Sequence, residues 1–132
     1  MIFAAGLGTR LKPLTDHMPK ALAPVAGKPM LEHVIEKLKA SGFDEIVINV
    51  HHFANQIIDF LKAKDNFGIK IWISDETDEL LDTGGGIKKA SGYFDEPFLV
   101  HNADILSNVD LRAMYDYHLK SDNDATLLVS PR

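Results

Sequence analysis

Short apolar, β-branched runs alternate with amphipathic segments along almost the whole of this chain, and that alternation leaves few folds open. Met1–Ala5 is entirely apolar, as a strand buried on both faces of a parallel sheet is. Its shortness fits a chain that has lost one or two residues at its start. Glu45–Val50 (EIVINV) and Ile69–Ser74 are further strand-like runs, and shorter ones follow at Phe98–His101 and Ala125–Val129. Between them, Met30–Ser41 places apolar residues at Met30, Leu31, Val34, Ile35 and Leu38 with charged residues interspersed, which is helical periodicity. Pro29 suits the first turn of that helix and Gly42 its C-terminal cap. Ala54–Lys64 and Asp110–Lys120 read the same way. The pattern predicts a Rossmann-like, three-layer α/β/α domain around a mostly parallel sheet, with ligands at the carboxyl ends of the strands.

Three segments follow strands and so belong at that edge: Gly6–Arg10, residues 75–86 and Asn102-Ala103-Asp104. The first is the most distinctive. Residues 1–30 hold Arg10, Lys12, Lys20 and Lys28 against one acid, Asp16, a local charge of +3 on a chain whose net charge is −5. Gly6 and Gly8 let the backbone turn sharply and approach an anion closely. Arg10 supplies a planar fork suited to phosphate oxygens, and Lys20 a compact charge. Pro13, Pro19, Pro24 and Pro29 stiffen the loop. The spacing is not the dinucleotide fingerprint, because Leu11 stands where the third glycine belongs. Nor is it a P-loop, because Gly27-Lys28 is followed by Pro29. On glycine spacing alone, a plain turn with solvated lysines competes with a polyphosphate site; the charge reversal favours the phosphate.

Asp104 directly follows an apolar run, which suits a carboxylate that holds Mg²⁺ or, equally, one that caps the turn at 105–108. Thr83-Gly84-Gly85-Gly86 either lets the backbone approach a nucleoside or is a flexible turn leading into a short helix at Ile87–Ala90. Asp82 beside it could meet a sugar or base, although acids in this loop are more often solvated. His51 and His52 are adjacent and point apart in a strand, so they cannot readily share a metal. His17, His33 and His118 read as surface or helix-face residues, and His101 as structural. No serine sits in a nucleophile elbow.

AAGLGTRL, PKAL and PVAGKP, in that order and spacing, resemble the signature of the sugar-phosphate nucleotidyltransferases, the nucleoside-diphosphate-sugar pyrophosphorylases. Leu81–Ile87 most resembles the N-acetylmuramate-1-phosphate uridylyltransferases within that family, and the likeness runs over nearly the whole chain. The resemblance implies the nucleotide-diphospho-sugar transferase fold and transfer of a nucleoside monophosphate, from UTP by preference, to a sugar 1-phosphate with release of pyrophosphate. It implies Arg10 and Lys20 as catalytic cations, and Asp104 as the ligand of a Mg²⁺ cofactor. It further implies Ala4, Ala5, Gly6, Gly8, Thr9, Thr83, Gly84 and Asn102 as the nucleotide-binding set. The family usually has glycine before the metal-binding aspartate; Ala103 here adds a methyl group. Family members continue well past this point, so residues 1–132 are expected to be the nucleotide-binding half of a truncated domain. Its unpaired sheet edge would invite self-association. Two other readings stay open: a non-catalytic nucleotide-sensing domain of the same fold, or guanylyl- or thymidylyltransferase specificity.

Composition removes other classes. The absence of cysteine excludes a disulfide framework, a thiolate nucleophile and a zinc–cysteine site, and fits a reducing cytoplasm. The acidic balance argues against sequence-independent nucleic-acid binding. No apolar run approaches a membrane span.

Overall fold

The computed structural model describes residues 1–131. Its elements run β1 (Ile2–Phe3), β2 (Pro24–Val25), β3 (Lys28–Pro29), α1 (Met30–Ala40), β4 (Glu45–Val50), α2 (Ala54–Ala63), β5 (Lys70–Asp75), α3 (Asp82–Ala90), β6 (His101–Asn102) and α4 (Leu111–Lys120). Four strands form one parallel sheet in the order β5-β4-β1-β6. The chain winds outward from β1 to β4 to β5, then crosses back to lay β6 on the other side of β1. The crevice between the carboxyl ends of β1 and β6 is therefore the switch point at which such sheets take ligands. β2 and β3 form a separate hairpin, turned at Ala26 and Gly27, both with positive φ.

The period of two along β4 sorts its side chains between two layers. Ile46, Ile48 and Val50 join Ile2 and Ala4 in the main core, beneath Leu31, Val34, Ile35 and Leu38 of α1 and Ile57 and Leu61 of α2. Each of the Ile, Leu and Val side chains among these contributes roughly 1.5–3 kcal/mol on burial. Val47 and Met1 face the opposite way and pack with Ala90 of α3, together with Phe3, Ile87 and Phe94. Helices thus cover both faces. Gly42 ends α1 with φ +91°, and the Asp110 carboxylate caps α4 by accepting from Ala113 N at 2.9 Å.

Four expectations change. The first strand is two residues rather than Met1–Ala5, because Ala4 N–H leaves the ladder and donates to the Asn49 side chain. The strand expected at Phe98–His101 shifts to His101–Asn102. In this part of the chain only His101 and Asn102 pair with β1, and the Leu99 carbonyl accepts from the Met1 amino group at 2.6 Å, where burial lowers the pKa of that amine to about 5. Ala125–Val129 forms no strand; it pairs with no described strand, and Leu127 and Val129 are 83% and 81% exposed. The glycine triplet is no loose turn. It lies within α3, where Gly86 is buried and a Cβ on it would meet Glu76 Oε1 at 2.9 Å and Phe3 at 3.1 Å.

The glycines of α3 consequently differ in sign. Gly84→Ala, with no atom within 4 Å of the added Cβ, should gain up to about 1 kcal/mol from helix propensity. Gly86→Ala should instead lose roughly 1–3 kcal/mol to overpacking. Urea unfolding of the two variants checks the contrast.

Candidate active site

Gly8 adopts φ +66°, and its carbonyl accepts from Leu11 N at 2.9 Å and from Thr15 Oγ1 at 2.8 Å. A Cβ there would stand 2.8 Å from Thr15 Cγ2 and 3.0 Å from Lys20 Cβ. Glycine is required twice, for the left-handed backbone and for the room. The loop thereby folds back on itself and brings Lys20 against the glycine turn. Thr15 is buried, so its hydroxyl is a pin rather than a surface group. Lys20 begins a short 3₁₀ turn whose Ala21 and following Ala23 are buried, which anchors the lysine backbone to the core while its ammonium reaches out.

That ammonium forms an ion pair with Asp104 Oδ2, joining residues 84 positions apart. Both side chains are about one-third exposed, at 33% and 34%. The pair bridges the loop after β1 and the turn after β6, across the switch point. Ala103 puts its methyl into the main core, away from the carboxylate that follows it. Arg10 is exposed and has no ion-pair or hydrogen-bond partner among the described residues; Thr9 and Gly6 are exposed beside it. The structure joins Lys20 with Asp104 and sets Lys20 beside Gly8, and among the described residues it records no contact from Arg10 to either. A depression of about 240 Å³ lies along the same loop, lined by Leu7, Thr9, Lys12, Thr15, Asp16 and His52. A cavity of about 290 Å³ opens at the other end of the sheet, among Met1, Phe94, Phe98 and Tyr115, and contains none of the expected site residues.

Ala4 and Ala5 are buried at the end of β1, and Asn102 pairs with Phe3 in the ladder. Thr83 and Gly84 are exposed on the first turn of α3, after Asp82, whose φ of +55° places an aspartate in a conformation that favours glycine. His101 is half-buried, and burial lowers its pKa below the ordinary imidazole value. With Nδ1 at 2.7 Å from the Asn102 carbonyl, it is a structural neighbour of the site.

Sequence reasoning missed three residues here. Thr15 gave no signal beyond its place in the loop. Asn49 did: a polar side chain in the buried run EIVINV needs a partner. It accepts from Ala4 N at 2.8 Å and donates to Glu76 Oε1 at 2.9 Å. Glu76 read as one of several solvated acids, yet it is fully buried.

No group of three or more His, Asp or Glu side chains is arranged to hold a metal by itself among the described residues. Asp104 supplies one carboxylate at the mouth of the crevice. One carboxylate is a donor that Mg²⁺ accepts, since that ion commonly takes one or two carboxylates and fills the rest of its shell with water and other oxygens.

The sequence pattern of the nucleotidyl transferase family matches residues 1–132. The N-acetylmuramate alpha-1-phosphate uridylyltransferase of Caulobacter vibrioides is 46% identical over 107 residues, covering 79% of this chain and 44% of that protein. Mannose-1-phosphate guanylyltransferase 1 of Arabidopsis thaliana is 38% identical over 135 residues, covering 98% of this chain and 37% of that protein. The crystal structure of HddC from Yersinia pseudotuberculosis complexed with GMP-PN superposes with a TM-score of 0.80 at 34% identity, over 92% of this chain and 54% of that one. This chain thus spans about half the length of the proteins it matches, or less.

The pinned glycine turn has a testable energetic signature. Gly8→Ala should cost about 2 kcal/mol or more, from backbone strain plus the clash with Thr15. In a Thr15→Ser background, which removes Cγ2 but keeps the hydroxyl, part of that cost should disappear. Denaturant midpoints of the four proteins in the cycle measure the coupling.

Proposed function

Because this chain belongs to the nucleotidyl transferase family, we propose that residues 1–132 form the nucleotide-binding half of a sugar-1-phosphate nucleotidyltransferase. The observation that carries the reading is the Lys20–Asp104 pair across the switch point, beside a cationic glycine turn. In the proposed reaction a phosphate oxygen of the sugar 1-phosphate attacks the α-phosphorus of the nucleotide. A new P–O bond forms, the α–β phosphoanhydride bond breaks, and pyrophosphate leaves. No covalent enzyme intermediate is required, so positioning and charge neutralisation supply the rate.

In this reading Arg10, exposed and without a partner among the described residues, holds the β- and γ-phosphates and the departing pyrophosphate. Lys20 neutralises the α-phosphate and the incoming phosphate. The backbone of Ala4, Ala5 and Gly6 lies along the base, Gly8 and Thr9 line the phosphates, and Thr83, Gly84 and Asn102 meet the nucleoside. Asp104 is the residue that would hold Mg²⁺, which when bound neutralises charge on the phosphate oxygens.

UTP is the proposed nucleotide and N-acetylmuramate 1-phosphate, or a related hexose 1-phosphate, the proposed acceptor. The support is the Leu81–Ile87 segment and the 46% identity to the Caulobacter uridylyltransferase. A guanylyl reading stands second, supported by the Arabidopsis relative and by the HddC complex. A purely sensory domain is disfavoured, because Arg10, Lys20 and Asp104 are all retained. No helix among the described residues is long and apolar enough to cross a membrane, and the substrates in this reading are water-soluble phosphates.

Calorimetric titration with Mg²⁺ complexes of UTP, GTP, dTTP and CTP tests the reading, with UTP expected to bind most tightly. Arg10→Ala and Lys20→Ala should each weaken binding about tenfold or more, with little change in unfolding midpoint. In the full-length enzyme Lys20→Ala should lower kcat roughly 10²–10³-fold. Asp104→Asn should abolish the dependence of binding on Mg²⁺. Saturable binding of none of the four nucleotides at millimolar concentration would overturn the assignment.

A further inference from the structure

Glu76 is fully buried, and no ion pair among the described residues includes it. Each of its polar atoms nonetheless has a partner. Its N–H donates to Val50 O at 2.8 Å, and its carbonyl accepts from Glu79 N at 3.2 Å and lies 2.6 Å from His51 Nδ1. Its carboxylate divides between two elements. Oε1 accepts from Asn49 Nδ2 at 2.9 Å, and Oε2 accepts from Leu81 N at 3.3 Å, at the start of α3. Asn49 passes the connection on, since its Oδ1 accepts from Ala4 N at 2.8 Å. One unbroken chain of hydrogen bonds therefore runs from the end of β1, just ahead of the glycine loop, through β4, to the residue before Asp82. Gly86 closes over it: an added Cβ would lie 2.9 Å from Glu76 Oε1 and 3.2 Å from Asn49 Nδ2.

We infer that Asn49 and Glu76 are positioning residues that set the Ala4–Gly6 backbone and the first turn of α3 at a fixed separation, and so determine nucleotide affinity. The inference rests on the reading above, in which the base and ribose lie between those two segments. Neither side chain is among the proposed substrate contacts; both act through main-chain N–H groups. Each end of the relay is a donor, Ala4 N–H and Leu81 N–H, so the two side chains between them must present acceptors outward. Asn49 does this with its oxygen towards Ala4, which forces its NH₂ towards Glu76. Glu76 must then accept on both oxygens, and only a carboxylate can. An apolar residue at position 49, like its neighbours Ile48 and Val50, would fill the strand but leave both Ala4 N–H and Glu76 Oε1 without their partner.

The donor logic predicts a specific rescue. Glu76→Gln, equal in size, sets an NH₂ against either the Asn49 NH₂ or the Leu81 N–H and leaves one connection broken. Asn49→Asp sets two carboxylates face to face. The double variant Asn49→Asp/Glu76→Gln restores every bond. The carboxylate introduced at position 49 accepts from Ala4 N–H and from the amide NH₂ introduced at position 76, whose own oxygen accepts from Leu81 N–H. The net charge of the double variant equals that of the original.

Two measurements on this chain decide the matter. Calorimetric titration with Mg²⁺-UTP should show Kd raised about tenfold in each single variant and returned to within about twofold in the double. Amide hydrogen exchange without nucleotide should show faster exchange in Glu76→Gln at residues 4–8 as well as 81–85, with both recovering in the double variant. A merely structural role would lower the unfolding midpoint and leave Kd unchanged. Unchanged Kd in Glu76→Gln, loss of protection confined to residues 81–85, or a double variant that fails to fold or to recover overturns the inference. If the unmutated chain binds no nucleotide, the proposed function falls, and the exchange arm still decides whether the relay couples the two segments.

Discussion

A central strand buried on both faces must dispose of its backbone donors at the point where its ladder stops. β1 is only two residues long, and its next donor, Ala4 N–H, has no strand to receive it. An unsatisfied buried N–H would cost about 1–3 kcal/mol, which is a sizeable fraction of a typical domain's stability. The oxygen of Asn49 meets it, and the chain can then leave the sheet as a loop at Ala5 and Gly6 instead of continuing as a strand. Everything that distinguishes the upper edge of this sheet depends on that exit. The glycine turn starts from it, and Lys20 is carried by the turn to Asp104. α3 is held opposite by the second half of the same polar connection. The layers below are ordinary hydrophobic packing and would serve any function.

Much of that lower architecture was legible in the chain. α1 and α2 lie within one residue of their expected bounds, because an apolar face recurring at three and four positions admits no other regular structure. β4 and β5 were equally clear, since a β-branched run bounded by polar loops in an alternating chain reads as a parallel strand. The misreadings share one cause. A strand exists only against a partner, and propensity carries no information about where the partner begins. Phe98–Val100 and Ala125–Val129 have suitable residues and, among the described residues, no ladder to join. The glycines of α3 misled for a related reason: the absence of a Cβ at Gly86 signals a close approach by β1 and β4, not conformational freedom. From sequence the two meanings of glycine are identical.

The candidate site was legible through charge. A cluster of four cations against one acid, in a chain otherwise strongly acidic, singles out one segment as suited to an anion. Spacing alone could not do this, since the glycine pair matches neither phosphate-binding fingerprint. The polar connection beneath the site stayed hidden because its members look ordinary one at a time. Glu76 belongs to a run of acids, most of them solvated, and only burial separates it from Asp75, Asp78 and Glu79.

The pairing of Lys20 with Asp104 bears on how such a site stays folded without its ligand. Lys20 and Asp104 are each other's ion-pair partner at the mouth of the crevice. Facing one another at one-third exposure, they contribute only modestly to stability, on the order of 1 kcal/mol or less. Their value lies in geometry. In the proposed reaction each has a stronger partner waiting, the lysine a phosphate and the aspartate a divalent cation. Binding then exchanges partners without stranding either charge. The side chains are already extended to the correct edge of the sheet, so little rotamer entropy remains to be lost when the ligand arrives. An arrangement that left both groups solvated and mobile would forfeit that advantage. A pair sealed in the core would hold its partners too firmly to surrender them.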